Sequence, residues 1–194
     1  MQEKQITIEG TTHKLASPFI VLATQNPIEY EGTYPLPEAQ MDRFLIKLSV
    51  GYPDEDVVTG ILEGRSQRKK DSFTVNSRAT PEKVVEMHDS IEEVFVKKEV
   101  MRYIVDLVQS TRRDPRVAVG SSPRGSLGLF KLSRALAVLS GRDYVVPDDV
   151  KRAAIPVLGH RIILKPEARI RGVNVDEVIG ELLMTVQVPA VTVE

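Results

Sequence analysis

The sequence contains no cysteine, which excludes disulfides and thiolate metal sites and suits a reducing compartment; the expected location is the cytoplasm. Its three histidines, His13, His88 and His160, lie far apart without paired ligand spacing, so a zinc site is not expected. No apolar run approaches the roughly 18–20 residues that a membrane-spanning helix needs. The opening MQEKQITIEG reads as a polar strand rather than a secretory signal. The formal net charge is −1, so no global field draws the chain to nucleic acid or to an anionic membrane. Two motifs are also missing: there is no G-x-x-x-x-G-K-S/T, and no apolar strand ends in Asp-Glu. A chain without them lacks the usual phosphate cradle and the usual magnesium carboxylates. Internal repeats and low-complexity tracts are absent as well.

What is present is globular. The 194 residues are 42% hydrophobic and 27% charged, enough for one large domain or two small ones. The character of the chain changes near Gly51-Tyr52-Pro53. Before that point, Ile6-Thr7-Ile8 alternates, Glu9 to Thr12 is turn chemistry, and His13-Lys14-Leu15 can return as a hairpin arm. Phe19 to Ala23 reads as a strand buried on both faces of a mostly parallel sheet, and Phe44 to Val50 as a second strand near an edge. After Pro53 the signals are helical. Val57, Val58, Ile61 and Leu62 share one face behind an acidic first turn. Thr80-Pro81, Ser122-Pro123 and Pro147-Asp148-Asp149 are helix starts. Val100, Ile104, Leu107 and Val108 mark another helix, and Val150, Ala153, Ala154, Val157 and Leu158 form the inner face of the one opened at Pro147. Gly141 ends the helix begun at Pro123, and Asp176 to Met184 forms a short last one. The expected fold is α/β plus all-α. Residues 1–52 are read as the tail of a larger α/β core with a hairpin and a partial parallel sheet, and residues 53–194 as a helical domain.

Three residues could carry chemistry. Asn26 stands in FIVLATQNP, at the carboxyl end of the expected strand, where open α/β sheets bind ligands; the alternative, favoured by the local pattern alone, is that it caps the turn before Pro27. Arg43, just past the two-proline loop EYEGTYPLPEAQ, could offer a planar guanidinium to a phosphate or could pair with Asp42. Arg124 stands in the first turn of the helix capped by Ser122, where the helix dipole disfavours a cation. An anion at that helix end would reverse the sign, and Gly125 would leave it space; extension of Arg124 into solvent is the alternative. Arg65, Arg68, Lys69 and Lys70 read as a solvated basic face, and the loop carboxylates Glu29, Glu31 and Glu38 form no pair of fixed spacing.

The stretch FIVLATQNPIEYEGTYPLPEAQMDRF closely resembles the MoxR family of AAA+ ATPases. GYPDEDVVTGIL and SSPRGSLGLFKLSRALAVLSGRDYVVPDDV extend that resemblance in order along essentially the whole chain. The resemblance implies that Asn26 is the sensor-1 residue, Arg43 an arginine finger and Arg124 the sensor-2 arginine, with Gln5 to Ala16 as the hairpin before sensor 1. It further implies an ATP- and Mg2+-dependent, chaperone-like motor that assembles as a ring, with a hexamer expected. Its clients would be protein complexes, among them partners with von Willebrand factor A domains, and nucleic acid is not an expected partner. Met1-Gln2-Glu3 resembles the point just after the nucleotide-binding half, so the chain is expected to be a C-terminal part that does not hydrolyse ATP or bind it tightly alone. A magnesium-chelatase-like or helicase-like subunit of the same branch, and a non-catalytic protein-binding adaptor, are the alternatives. The sequence around Arg43 favours MoxR over the former. The reading frame upstream of Met1 discriminates the latter.

Overall fold

The computed structural model describes residues 5–25 and 36–189. The chain begins with an antiparallel hairpin of β1 (Gln5–Ile8) and β2 (Thr11–Lys14), with Gln5 opposite Lys14 and Ile8 opposite Thr11. Its two-residue turn places Glu9 at φ 49° and Gly10 at φ 81°, the doubly left-handed geometry that matches strand twist. Thr7 and Thr12 meet across the strands with their hydroxyls 3.0 Å apart. Both strands are exposed throughout.

The next two expectations fail locally. Phe19 to Ala23 is not a strand and is not buried; Leu22 is 91% exposed. Phe44 to Val50 is likewise no strand, and Val50 is 98% exposed. The physical reason is pairing. A strand needs neighbours for its amides and covers for its faces, and the described residues supply neither here. Among them the sheets are two-stranded and antiparallel, with no parallel sheet.

Between these segments lies the single turn α1 (Glu38–Met41), followed by α2 (Glu55–Arg68). α2 has the acidic first turn, Glu55 and Asp56, and the basic last turn, Arg65 and Arg68, that suit its dipole. Its apolar residues Val57, Val58, Ile61 and Leu62 are all exposed. The expected apolar face exists but covers nothing among the described residues.

From α3 (Pro81–Glu92) onward the helices close on one another. Thr80 Oγ1 caps α3 by accepting the Lys83 amide at 3.3 Å. In α4 (Lys98–Arg113), Val100, Tyr103, Ile104, Leu107, Val108 and Thr111 are buried along one face, and Arg112 and Arg113 occupy the last turn. A short antiparallel pair, β3 (Val117–Val119) with β4 (Ile163–Leu164), was not foreseen from sequence. α5 (Pro123–Leu139) is capped by Ser122 and stopped at Gly141, whose φ of 72° and amide bond to the Val138 carbonyl close the helix end. α6 (Pro147–Leu158) turns Val150, Ala153, Ala154, Val157 and Leu158 fully inward. The Asp149 carboxylate accepts the Val146 amide at the head of α6 and is gripped twice by Arg142, at 2.8 and 2.7 Å. α7 (Pro166–Ile170) leads into α8 (Val175–Thr185), which Asn174 and Glu177 cap reciprocally. Val178 and Ile179 carry α8 into the core shared by α4, α5 and α6.

Candidate functional site

Thr111, near the end of α4, does two jobs: its hydroxyl donates to the Val108 carbonyl at 2.7 Å and accepts the Ser121 amide at 3.0 Å. Arg112 Nε donates to the Ser121 carbonyl at 2.8 Å. A Cβ on Gly120 would stand 2.7–2.8 Å from Arg112 atoms, two of them backbone, so only glycine fits where this loop crosses α4. The loop is thereby locked, and with it the N-terminus of α5. Ser122 Oγ accepts the Arg124 amide at 3.2 Å. Gly125 is not spare room for a ligand as expected, because a Cβ there would collide with Ser121 Oγ. Its smallness lets the capping loop fold onto its own helix.

The charge question at this helix end has a specific answer. The Asp42 carboxylate, 82 positions earlier in the chain, receives Arg124 Nη1 at 3.0 Å and Ser122 Oγ at 3.2 and 3.3 Å. Arg124 therefore does not extend freely into solvent, although 45% of its side chain stays accessible. The anion that sequence physics asked for is present, and it is the protein's own.

A third donor comes from the turn after α6. Arg161 Nε meets Asp42 Oδ1 at 3.1 Å, with an Arg161 side chain only 3% exposed. Its two Nη atoms donate to the carbonyls of Asp42, Phe44, Leu45 and Val157. One buried guanidinium thus fastens residues 42–45 to the α6 corner. His160 Nε2 lies 3.1 Å from the Phe44 carbonyl, and the Lys47 amide donates to the Pro156 carbonyl at 2.9 Å. Burial alone would raise the Asp42 pKa, but Arg124, Arg161 and Ser122 outweigh it and hold the carboxyl below its usual value. Burial opposes the charge on Arg161, and Asp42 supports it.

Arg43 follows Asp42 directly and behaves differently. Its amide bonds to the Gln40 carbonyl at 3.1 Å, its side chain is exposed, and it makes no ion pair among the described residues. The pairing of Arg43 with Asp42 weighed from sequence is not what forms; Asp42 is taken by Arg124 and Arg161. Asn26 lies outside the described residues. Gln25, just before it, brings its amide nitrogen 3.8 Å from Met41 Sδ, beside the turn that carries Asp42 and Arg43. Arg124 and the Asp42–Arg43 turn are thus brought together.

Sequence reasoning missed Asp42 and Arg161 as members of the site. Arg161 follows Gly159-His160 at a helix end, where an arginine is ordinarily solvated, and no local pattern distinguishes a buried one. At the N-terminus of α5 the Asp42 carboxylate accepts from two side chains, the Ser122 hydroxyl and the Arg124 guanidinium. Among the described residues no group of three or more histidines and carboxylates is placed to hold a metal.

Comparison with known proteins finds relatives along nearly the whole chain. Residues 109–182 match the model of the AAA lid domain, and residues 1–46 match that of the ATPase family associated with various cellular activities. The chain is 42% identical over 189 residues to the uncharacterised protein YeaC of Bacillus subtilis, covering 97% of this chain and 59% of that one. It is 38% identical over 200 residues to the chaperone MoxR1 of Mycobacterium tuberculosis, covering 98% of this chain and 52% of the relative. A crystal structure of a protein from Cytophaga hutchinsonii superposes with a TM-score of 0.86 at 37% identity, over 97% of this chain and 60% of that one. The chain therefore spans between about half and three fifths of the length of these relatives.

Proposed function

Since this chain belongs to the MoxR family of AAA+ ATPases and carries the C-terminal part of that fold, small sheets followed by a helical lid, we propose that it supplies the sensing and finger residues of an ATP-driven, chaperone-like motor. Arg124 contacts the phosphates of ATP bound to its own subunit. Arg43 reaches ATP bound to the neighbouring subunit of a ring, a hexamer by family resemblance, and Asn26 orients the attacking water. ATP with Mg2+ supplies the transferable phosphoryl group; the chain's own residues position, stabilise and sense it. The division into a core part, residues 1–52, and a lid, residues 53–194, belongs to the same proposal. So do the cytoplasmic location and the protein clients, including partners with von Willebrand factor A domains. With no phosphate-cradling loop in its sequence, the 194-residue chain by itself turns over no ATP.

The observation that carries this reading is the contrast between two arginines. Arg124, in the first turn of α5, already pairs with the Asp42 carboxylate, while Arg43, the next residue in the chain after Asp42, is exposed and makes no ion pair among the described residues. The test is Arg43→Ala in the intact protein. ATP turnover falls on the order of 10³-fold while ATP affinity changes little, because a finger acts on the transition state. A parallel loss of affinity and turnover would assign Arg43 to ground-state binding instead.

A further inference from the structure

Of the donors on the Asp42 carboxylate, one is built in and one is exchangeable. Arg161 is almost wholly buried and also holds the carbonyls of residues 42, 44 and 45, so it stays with the segment whatever else happens. Arg124 is nearly half exposed and touches the segment through Asp42 Oδ2. Around this single carboxylate stand two paired guanidinium groups and, one residue along the chain, the exposed Arg43. The cluster carries more positive than negative charge and can accept a further anion.

We propose that Asp42 is a positioning residue for Arg43: its carboxylate competes with the nucleotide phosphate for Arg124, so that phosphate binding loosens the Asp42–Arg43 turn from the N-terminus of α5 while Arg161 keeps it on the α6 corner. This rests on the reading of Arg124 as the phosphate-contacting residue. A polyanionic phosphate is the stronger partner for a guanidinium at a helix N-terminus, whereas an exposed ion pair is readily given up. When Arg124 leaves, the carboxylate keeps Arg161 and Ser122 but loses one of its two cations. Among the described residues, the carboxylate's remaining hydrogen bond to the head of α5 is then the one from Ser122. Arg43 thereby becomes responsive to the occupancy of its own subunit's site, although its target lies in the next subunit. One carboxylate connects the two sites.

The test uses the 194-residue chain with inorganic tripolyphosphate as the probe. The chain has no cysteine, so spin labels can be introduced cleanly at Gln40 in α1 and Lys131 in α5, both exposed. In the unsubstituted chain, tripolyphosphate shifts the Arg124 Nε–H and Asp42 carboxyl carbon resonances with one common midpoint, leaves Arg161 Nε–H in place, and broadens the distance between the labels. Asp42→Asn, which keeps an oxygen acceptor for Ser122 and Arg161, binds tripolyphosphate about fivefold more tightly. Its label distance is broad from the start and no longer responds. Asp42→Glu returns the affinity toward that of the unsubstituted chain. An Arg124 shift with Asp42 unmoved in the unsubstituted chain overturns the competition without recourse to any variant. Equal affinities of the unsubstituted chain and Asp42→Asn, with binding abolished by Arg124→Ala, also overturn it while leaving the sensor reading intact. Binding that ignores Arg124→Ala overturns the sensor reading itself.

Discussion

Helices α2 and α4 are written in the same language and end differently. Each has acids in its first turn, arginines in its last and apolar residues recurring at helical spacing. α4 buries six side chains, and α2 buries none. The contrast extends to their neighbourhoods. The region from Val94 to Val186 shares one core built on α4, α5, α6 and α8, while the large apolar side chains of Phe19–Leu22 and Val57–Leu62 remain 37–91% exposed. Periodicity specifies the element; burial depends on a partner, and the partner is information from elsewhere in the fold.

This difference can be broken at its strongest point first. Leu107→Ala in α4 should destabilise the chain by about 2–5 kcal/mol, since the removed side chain is fully buried. Ile61→Ala in α2 should stay within about 0.5 kcal/mol. Denaturant melts of the two variants measure both, and equal losses would show that α2 is packed as tightly as α4. A smaller effect is expected from Gly120→Ala, whose methyl would press on the Arg112 backbone. About 1–3 kcal/mol should be lost, and heteronuclear NMR should show the disturbance at Ser121, Ser122 and Arg124 rather than in α8.

The third test lies on the seam between the two regions and is the smallest. His160 is held below its ordinary pKa by burial; Arg161 and Lys47 push the same way, while the Phe44 carbonyl and Asp42 oppose them. Its Nδ1 is buried without a hydrogen-bond partner among the described residues, which fits a neutral ring donating from Nε2 to Phe44. Because the folded state takes up this proton less readily than the unfolded state, the contribution is complete above about pH 6.5 and declines as pH falls below it. Asp42, with a depressed pKa, weakens the same seam only below about pH 4. Exchange protection of the Lys47 amide, corrected for intrinsic rate, should therefore drop between pH 7 and 5.5. His160→Gln should remove that dependence.

The parts of this fold that were legible in the sequence are those with local causes. Thr80-Pro81, Ser122-Pro123 and Pro147-Asp148 announce helix starts because a cap and a proline act within one turn. The inner face of α6 was readable from spacing alone. The β3–β4 pair was not, since a three-residue and a two-residue strand far apart in sequence leave no periodic trace. Phe19–Ala23 shows the converse: a strand-like run forms no strand where the described residues offer no partner strand. At the site, Arg124 was singled out by a local rule, the sign of the helix dipole, which left a nearby anion and extension into solvent as the two alternatives. That the anion would be Asp42, with Arg161 behind it, is a tertiary fact no local rule contains.

The central claim is that Arg124 serves its own subunit and Arg43 the next. The most direct measurement is ATP turnover by rings mixed from Arg43→Ala and Arg124→Ala subunits of the intact protein, with assembly verified by mass. Each homogeneous ring should be nearly inactive. In mixed rings, an Arg43→Ala subunit with its own Arg124 intact can receive Arg43 from an Arg124→Ala neighbour, so turnover should recover to a substantial fraction of the wild-type rate. Mixed rings no more active than either parent would contradict the account and confine both arginines to one subunit.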